Sequence, residues 1–347
     1  MWIRKVQFLL LFGYTEHNMN IDLERVSMAQ HFLLSAAART LSLKAIFAGG
    51  EHRAYRRFCA LRWPETNGAP VCPRCRCLEM YDLKARRRFK CAACSHQFSA
   101  TSGTIFASHK LSLVDLLGAI CLFVNASKGL SAVQLSRNLN IQYKTAFVLM
   151  HKLREAMALE TAETRLQGEV EIDGAYFGGH VRPANIRTDR VDRRLLQNRT
   201  GKRSVIVVLR QRGGRTLTRA FLREADGVSF AQERIEPGSS VSADEVAHWD
   251  LLAGRFDLRR VNHSDAYSEN GVNTNLAESY FSRLRRMIRG QHHAVSGKYL
   301  ASYARHAAWL EDHSSESNGA LADRLIRTAL AVPVSRTWSG YWQRRAS

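Results

Sequence analysis

Two cysteine pairs, Cys72-Pro-Arg-Cys75 and Cys91-Ala-Ala-Cys94, constrain this chain more tightly than any other feature. Each C-x2-C turn presents two thiolates, and the 15 residues between the pairs let the turns face each other, so that four sulfurs complete a tetrahedron around one zinc ion. The spacing therefore predicts a zinc ribbon over about residues 66–104, with Phe89 and Phe98 as the apolar backing so small a module needs. Four thiolates fill the coordination sphere and leave no place for substrate, so the zinc is expected to be structural. Cys77 stands in a C-x-C relation to Cys75 and is an alternative ligand, and His96 is another near neighbour. Five of the chain's seven cysteines crowd into residues 72–94, a pattern of metal binding in a reducing compartment and not of a disulfide framework. Between the pairs, Lys84, Arg86, Arg87, Arg88 and Lys90 form a basic hairpin able to lie along phosphates, or simply a solvated charged turn.

That basic turn fits the whole composition. The 347 residues carry 51 Lys+Arg against 31 Asp+Glu, a formal charge of +20, which favours a polyanionic partner, nucleic acid first. Apolar residues make up 45% of the chain, enough for two or three packed domains. No apolar run approaches the roughly 20 residues that cross a bilayer, so no membrane association is expected. The short apolar stretch Val6–Tyr14 lacks a nearby small-residue cleavage site, and Met28 opens a segment that reads as a domain start as well as Met1 does.

Residues 28–63 carry apolar positions three or four apart and read as helical up to Pro64, completing an N-terminal helical region over 1–65. Residues 105–165 read as several short helices. Within them Leu130–Arg154 resembles a helix-turn-helix: Ser131 caps a first helix bearing Val133 and Leu135, the turn falls at Asn138–Ile141, and Gln142–Arg154 follows as recognition helix, with Gln142, Tyr143 and Lys144 at its leading end. An ordinary helical hairpin fits the same pattern.

Beyond Gly168 the periodicity changes. Glu169–Asp173 alternates, Ser204–Leu209 is a buried β-branched run and Thr216–Leu222 is a third strand; a short strand at Val241–Ser242, a helix near Val246–Arg255, a strand at Arg260–His263 and a helix over Thr274–Arg289 follow. This order predicts an α/β fold with a mixed sheet flanked by helices over 166–313, and a C-terminal tail over 314–347. Asp173 ends the first strand, Asp244 follows the strand at Ser240–Ala243, and Glu278 lies in the last helix, 34 positions after Asp244. Oxygen donors of this kind suit Mg2+ or Mn2+, and a pair of such ions serves phosphoryl chemistry. Glu245, Asp250 and Asp265 compete with Asp244 for the middle place.

CPRC…CAAC followed by QFSATSGTIF, then EIDGAYFGG, then VNHSDAY…NTNLAESYFSRLRRMIRGQHHAVSGKYLASY resemble the DDE transposases of bacterial insertion sequences that carry an N-terminal zinc ribbon. The resemblance spans about residues 30–313. It implies a ribonuclease H-like catalytic domain, with Asp173, Asp244 and Glu278 holding two Mg2+ or Mn2+ ions beside a structural Zn2+ on Cys72, Cys75, Cys91 and Cys94. Arg285 matches the basic residue seven positions after the Glu and is implied to contact a terminal phosphate. His263, Asn273, Asn275, His292 and His293 match as groups that position DNA, with the Asn pair capping the helix. The implied activity is binding of double-stranded DNA at terminal inverted repeats, strand cleavage and 3'-OH transfer into target DNA, by a homo-oligomer paired on the ends, in the bacterial cytoplasm with the nucleoid. A DNA-binding regulator with a decayed catalytic domain and a nuclease that cuts without joining are the alternatives. The basic stretch 178–203, with Asp189 and Asp192 outside the ligand set, departs from the family's simpler link and is expected to be a mobile loop that contacts DNA.

Overall fold

The computed structural model describes residues 32–178, 184–191, 203–260 and 273–344. Helix α1 (Leu43–Arg62) starts where the Ser42 hydroxyl accepts the Ala45 N–H and stops at Trp63, ahead of Pro64. Gly50 kinks it, at a φ of 64° that a residue with a Cβ adopts only under strain. The ribbon is a three-stranded antiparallel sheet, β1 (Met80–Leu83), β2 (Arg88–Cys91) and β3 (Gln97–Phe98). Phe89 and Phe98 pack on each other and edge-on against Trp63, so the module shares its core with the end of α1.

Helices α2 (Leu113–Asn125), α3 (Ala132–Asn138) and α4 (Tyr143–Glu160) follow. Ser131 caps α3 through the Gln134 N–H, as its position predicts, and Asn140 turns the chain with a φ of 50°. Gln142, Tyr143 and Lys144 at the start of α4 are exposed, whereas one face further along it, with Met150, Leu153, Arg154 and Met157, is buried.

The sheet has five strands: β4 (Glu169–Gly178), β5 (Arg203–Gln211), β6 (Thr216–Phe221), β7 (Ser240–Ala243) and β8 (Asp257–Arg260), in the order β6-β5-β4-β7-β8. β4, β5 and β6 pair antiparallel, while β7 and β8 add parallel to β4. Val205 to Leu209 are all fully buried because layers cover both faces. Ile206 and Val208 join a core with the helices; Val205, Val207 and Leu209 join a second with Trp249, Phe256 and helix α5 (Gly227–Arg234). Helices α6 (Asn275–Arg286), α7 (Gly297–Asp312) and α8 (Asn318–Ala331) close the helical layer, with a π-helical turn over Met287–His292 between α6 and α7.

Three segments differ from the sequence reading. The helix expected near 246–255 is a six-residue 3-10 turn, Ala247–Leu252, anchored by buried Trp249 and Leu252. α5 escaped notice because eight residues give too few turns for a helical period to show. The stretch 314–347 is no tail: α8 buries Leu321, Ala322, Leu325 and Ile326, and Asn318 bonds the backbone of Thr40 and Leu41 near the start of α1. Its apolar face was present in the sequence, but packing against α1, α2 and α4 gives it a role.

Candidate active site

The four ribbon thiols Cys72, Cys75, Cys91 and Cys94 lie within 4.8 Å of one another. Three of their sulfur pairs are 3.4, 3.4 and 3.6 Å apart. A tetrahedral zinc with bonds of about 2.3 Å separates its sulfurs by about 3.8 Å, so the cluster fits the ion with little adjustment. The Cys94 backbone N–H, with further help from Cys75, draws the Cys91 thiol down to about 6, which favours the thiolate a metal requires. Cys77 is outside the cluster; its sulfur accepts the Glu79 N–H at 3.4 Å. On the adjoining hairpin Lys84, Arg86 and Arg88 are exposed, while Arg87 ion-pairs with Glu51, whose carboxylate also caps α2 through Leu113 and Val114 N–H.

The second cluster is built by strand direction. β4, β6 and β7 point the same way, so the residues beyond the ends of β6 and β7 gather beside the middle of the longer β4. β7 stops pairing where Ala243 lies opposite Ile172, and the next residue on each strand is an acid, Asp244 and Asp173. Glu224 opens the turn that leads β6 into α5. Carboxylate oxygens of Asp173, Glu224 and Asp244 all lie within 4.8 Å of one another. Gly174 makes room: a Cβ there would meet Glu224 Oε1 at 2.2 Å.

Burial raises the Asp173 carboxyl to about 7, with the charges of Asp244, Glu224 and Glu278 pushing the same way and the Gly174 N–H, at 2.7 Å, opposing them. Glu224 is also raised, first by burial and then by Asp244. Like charge is packed on like charge, and the ionised form is unfavourable until a cation neutralises it. Hard oxygen donors at these separations fit a divalent ion whose ligand oxygens are about 3–4 Å apart.

Glu278 lies in the first turn of α6, near enough to Asp173 to act on its charge, but outside the trio. Sequence reasoning missed Glu224. The usable signal was an acid just after the third strand, at the edge where Asp173 and Asp244 stand, which needs the strand order to be seen. Among the rivals of Asp244, Asp250 is ion-paired to Arg260 at 2.7 Å, Glu245 is exposed, and Asp265 lies outside the described residues, as do His263 and Asp192. Exposed Asp189 belongs to a short 3-10 turn, Arg187–Asp189.

Arg285, two turns after Glu278, is exposed with its guanidinium 5.7 Å from the Phe281 ring centre. Asn273 accepts the Asn275 N–H at 3.3 Å, whereas Asn275 is the exposed first residue of the helix and not its cap. His292 packs edge-on against Tyr303 in the helical layer, where burial lowers it to about 4, so it is a packing group; His293 is exposed.

The acid cluster of a mixed α/β domain is thus joined, in one chain, to a four-thiolate ribbon. Residues 165–312 match the family model of the ISXO2-like transposase domain, and residues 49–97 match that of the transposase zinc-ribbon domain. Together the matches cover more than half of the chain and place it in the family of zinc-ribbon DDE transposases of insertion sequences. No curated protein and no solved structure matches the chain. Among the described residues no helix is long and apolar enough to cross a membrane.

Proposed function

We propose that the chain is the transposase of an insertion sequence, binding the element's terminal inverted repeats and cutting and joining DNA at a centre formed by Asp173, Asp244, Glu278 and Glu224. The observation that carries this reading is the convergence of Asp173, Glu224 and Asp244 within 4.8 Å, in the domain that matches the transposase family. The strand order supports a ribonuclease H-like domain. The four acids would hold Mg2+ or Mn2+. A bound pair of such ions supplies positive charge to the attacking and leaving oxygens of an in-line displacement. Asp173 is central, flanked by Asp244 and Glu224, and is rigidly aimed because its strand is paired along its length to β5. In cleavage water attacks the phosphorus and the 3'-oxygen departs as a hydroxyl, taking a proton; in joining that hydroxyl gives up its proton and attacks a target phosphorus, whose bond to the target's own 3'-oxygen breaks, so that oxygen leaves as a hydroxyl.

Double-stranded DNA is the partner. Lys84, Arg86 and Arg88 on the ribbon and the exposed Arg285, Arg286 and Arg289 on and just after α6 supply phosphate contacts, and the exposed Gln142, Tyr143 and Lys144 suit a recognition helix. Pairing of two ends requires a homo-oligomer on DNA, acting in the bacterial cytoplasm with the nucleoid. The test is an assay with pre-cleaved ends, a target duplex and Mg2+. Joined products support the transposase, cutting alone supports a nuclease, and binding without either supports a regulator; loss of joining in Asp173→Asn and Glu278→Gln assigns the centre.

A further inference from the structure

Glu171 is an acid that the reaction does not use, and it is almost fully buried, at 1% exposure. It sits two residues before Asp173 on β4. One carboxylate oxygen accepts the backbone N–H of Leu276 at 2.8 Å and of Ala277 at 3.1 Å. The other accepts Arg212 Nε at 3.1 Å. Leu276 and Ala277 are the second and third residues of α6, and Glu278 is the next. The helix's own N-cap residue, Thr274, makes no side-chain cap hydrogen bond, so a strand residue about 100 positions upstream does that work for the N–H groups a helix start leaves without intrahelical partners.

Arg212 holds the other side of the junction. It pairs with Glu169 at 2.8 Å, its Nη2 donates to the Asn273 carbonyl at 3.5 Å, and its own N–H reaches the Glu169 carbonyl at 2.9 Å. A negative group at a helix start is also favoured by the helix dipole. Buried carboxylate, guanidinium and helix start thus form one rigid joint between the strand that carries Asp173 and the helix that carries Glu278.

We propose that Glu171 is a positioning residue that fixes the start of α6, clamped by Arg212, and thereby sets Glu278 against Asp173 in the metal centre. This rests on the reading of Asp173 and Glu278 as parts of one centre. Hydrogen bonds from the helix N–H groups need an acceptor oxygen at that reach, not a charge. Glu171→Gln should keep the two helix bonds and give up only the one from Arg212, since an amide nitrogen cannot accept; Glu171→Asp is one methylene too short, and Glu171→Ala has no acceptor.

The test is Mn2+ binding to the full-length, DNA-free chain, read by loss of the free ion's electron-paramagnetic signal. Glu171→Ala and Glu171→Asp should weaken Mn2+ binding about tenfold, as loss of groups that orient ligands does, with Glu171→Gln within about threefold of the wild type. On a Glu278→Gln background Glu171→Ala should add no further loss, because both act through the same carboxylate. A folded Glu171→Ala or Glu171→Asp chain that binds Mn2+ like the wild type overturns the proposal, as does an additive loss in the double variant. Should Glu171→Ala fail to fold, Glu171→Asp decides. A wild-type chain that joins DNA and binds Mn2+ while the Glu171 variants match it sinks this proposal alone; a wild type that binds no Mn2+ sinks the metal-centre reading with it.

Discussion

The ribbon thiols and the sheet-edge carboxylates are both groups of metal-ligand side chains drawn within 4.8 Å of each other, yet they are built in opposite ways. The thiols come from two turns of one small module, and local backbone N–H groups lower one thiol in each turn, Cys72 and Cys91, while Cys75 and Cys94 are raised. The carboxylates come from the middle of one strand and from just beyond the ends of two others, up to 71 residues apart, Asp173 to Asp244, and burial raises Asp173. A closed soft site makes structure; an open hard site with uncompensated charge awaits a reaction. A cluster of ligand-type side chains can thus be local, as in the ribbon, or assembled across the fold, as at the acids proposed to be catalytic, where burial of like charge is unfavourable.

Removing zinc should give the largest effect, because the binding energy of such sites, on the order of 10 kcal/mol in isolated zinc modules, is folding energy. A chelator or Cys91→Ser is expected to abolish the ribbon's fold and the near-ultraviolet dichroism of Trp63, and with them DNA binding; a chain that keeps both would break the contrast. Asp173→Asn should next reduce single-turnover cleavage by on the order of a thousandfold while leaving DNA affinity unchanged in a gel-shift titration. Glu224→Gln should lower the same rate by roughly 10–100-fold, and an unaltered rate would place Glu224 outside the centre.

A smaller effect concerns pH. The folded Asp173 carboxyl is raised from 3.8 to about 7, so the native chain holds that proton more tightly than the unfolded one. The stability this contributes is present below pH 3.8 and lost as pH rises through about 7. At pH 8 without divalent ions, Asp173→Asn should therefore be more stable than the wild type by on the order of 1 kcal/mol, about 2–4 °C in Tm, with the gap vanishing in acid. Calorimetry at pH 8 and pH 4 checks it, and Mn2+ should stabilise the wild type more than the variant. The smallest change is expected of Arg285→Ala: a few-fold weaker DNA binding and a salt slope shallower by about 1, measured by titration over a range of salt.

Much of this was legible in the residues. The cysteine spacing located the ribbon, the unbroken run Val205–Leu209 marked a strand covered on both faces, and Ser131 marked the start of α3. Asp244 was visible because it follows a short apolar strand, and Asp173 because it closes the alternating run Glu169–Asp173, although β4 continues through it to Gly178. Glu224 and Glu171 were not, for distinct reasons. Glu224 is one acid in the charged stretch Arg223-Glu-Ala-Asp, and nothing local separates it from Asp226. Glu171 sits inside an alternating strand pattern, where a polar residue reads as solvent-facing; in fact α6 covers it and uses it as a cap.

The chain alone therefore determined what depends on neighbours a few residues away: the thiol tetrahedron, the helix starts, the strand periods and the excess of positive charge. Tertiary structure decided which acids meet. Three strands run in one direction, and their pairing brings Asp173, within β4, beside the acids that follow β6 and β7. Spacing along a chain encodes the first kind of site, and strand order, which no local pattern records, encodes the second.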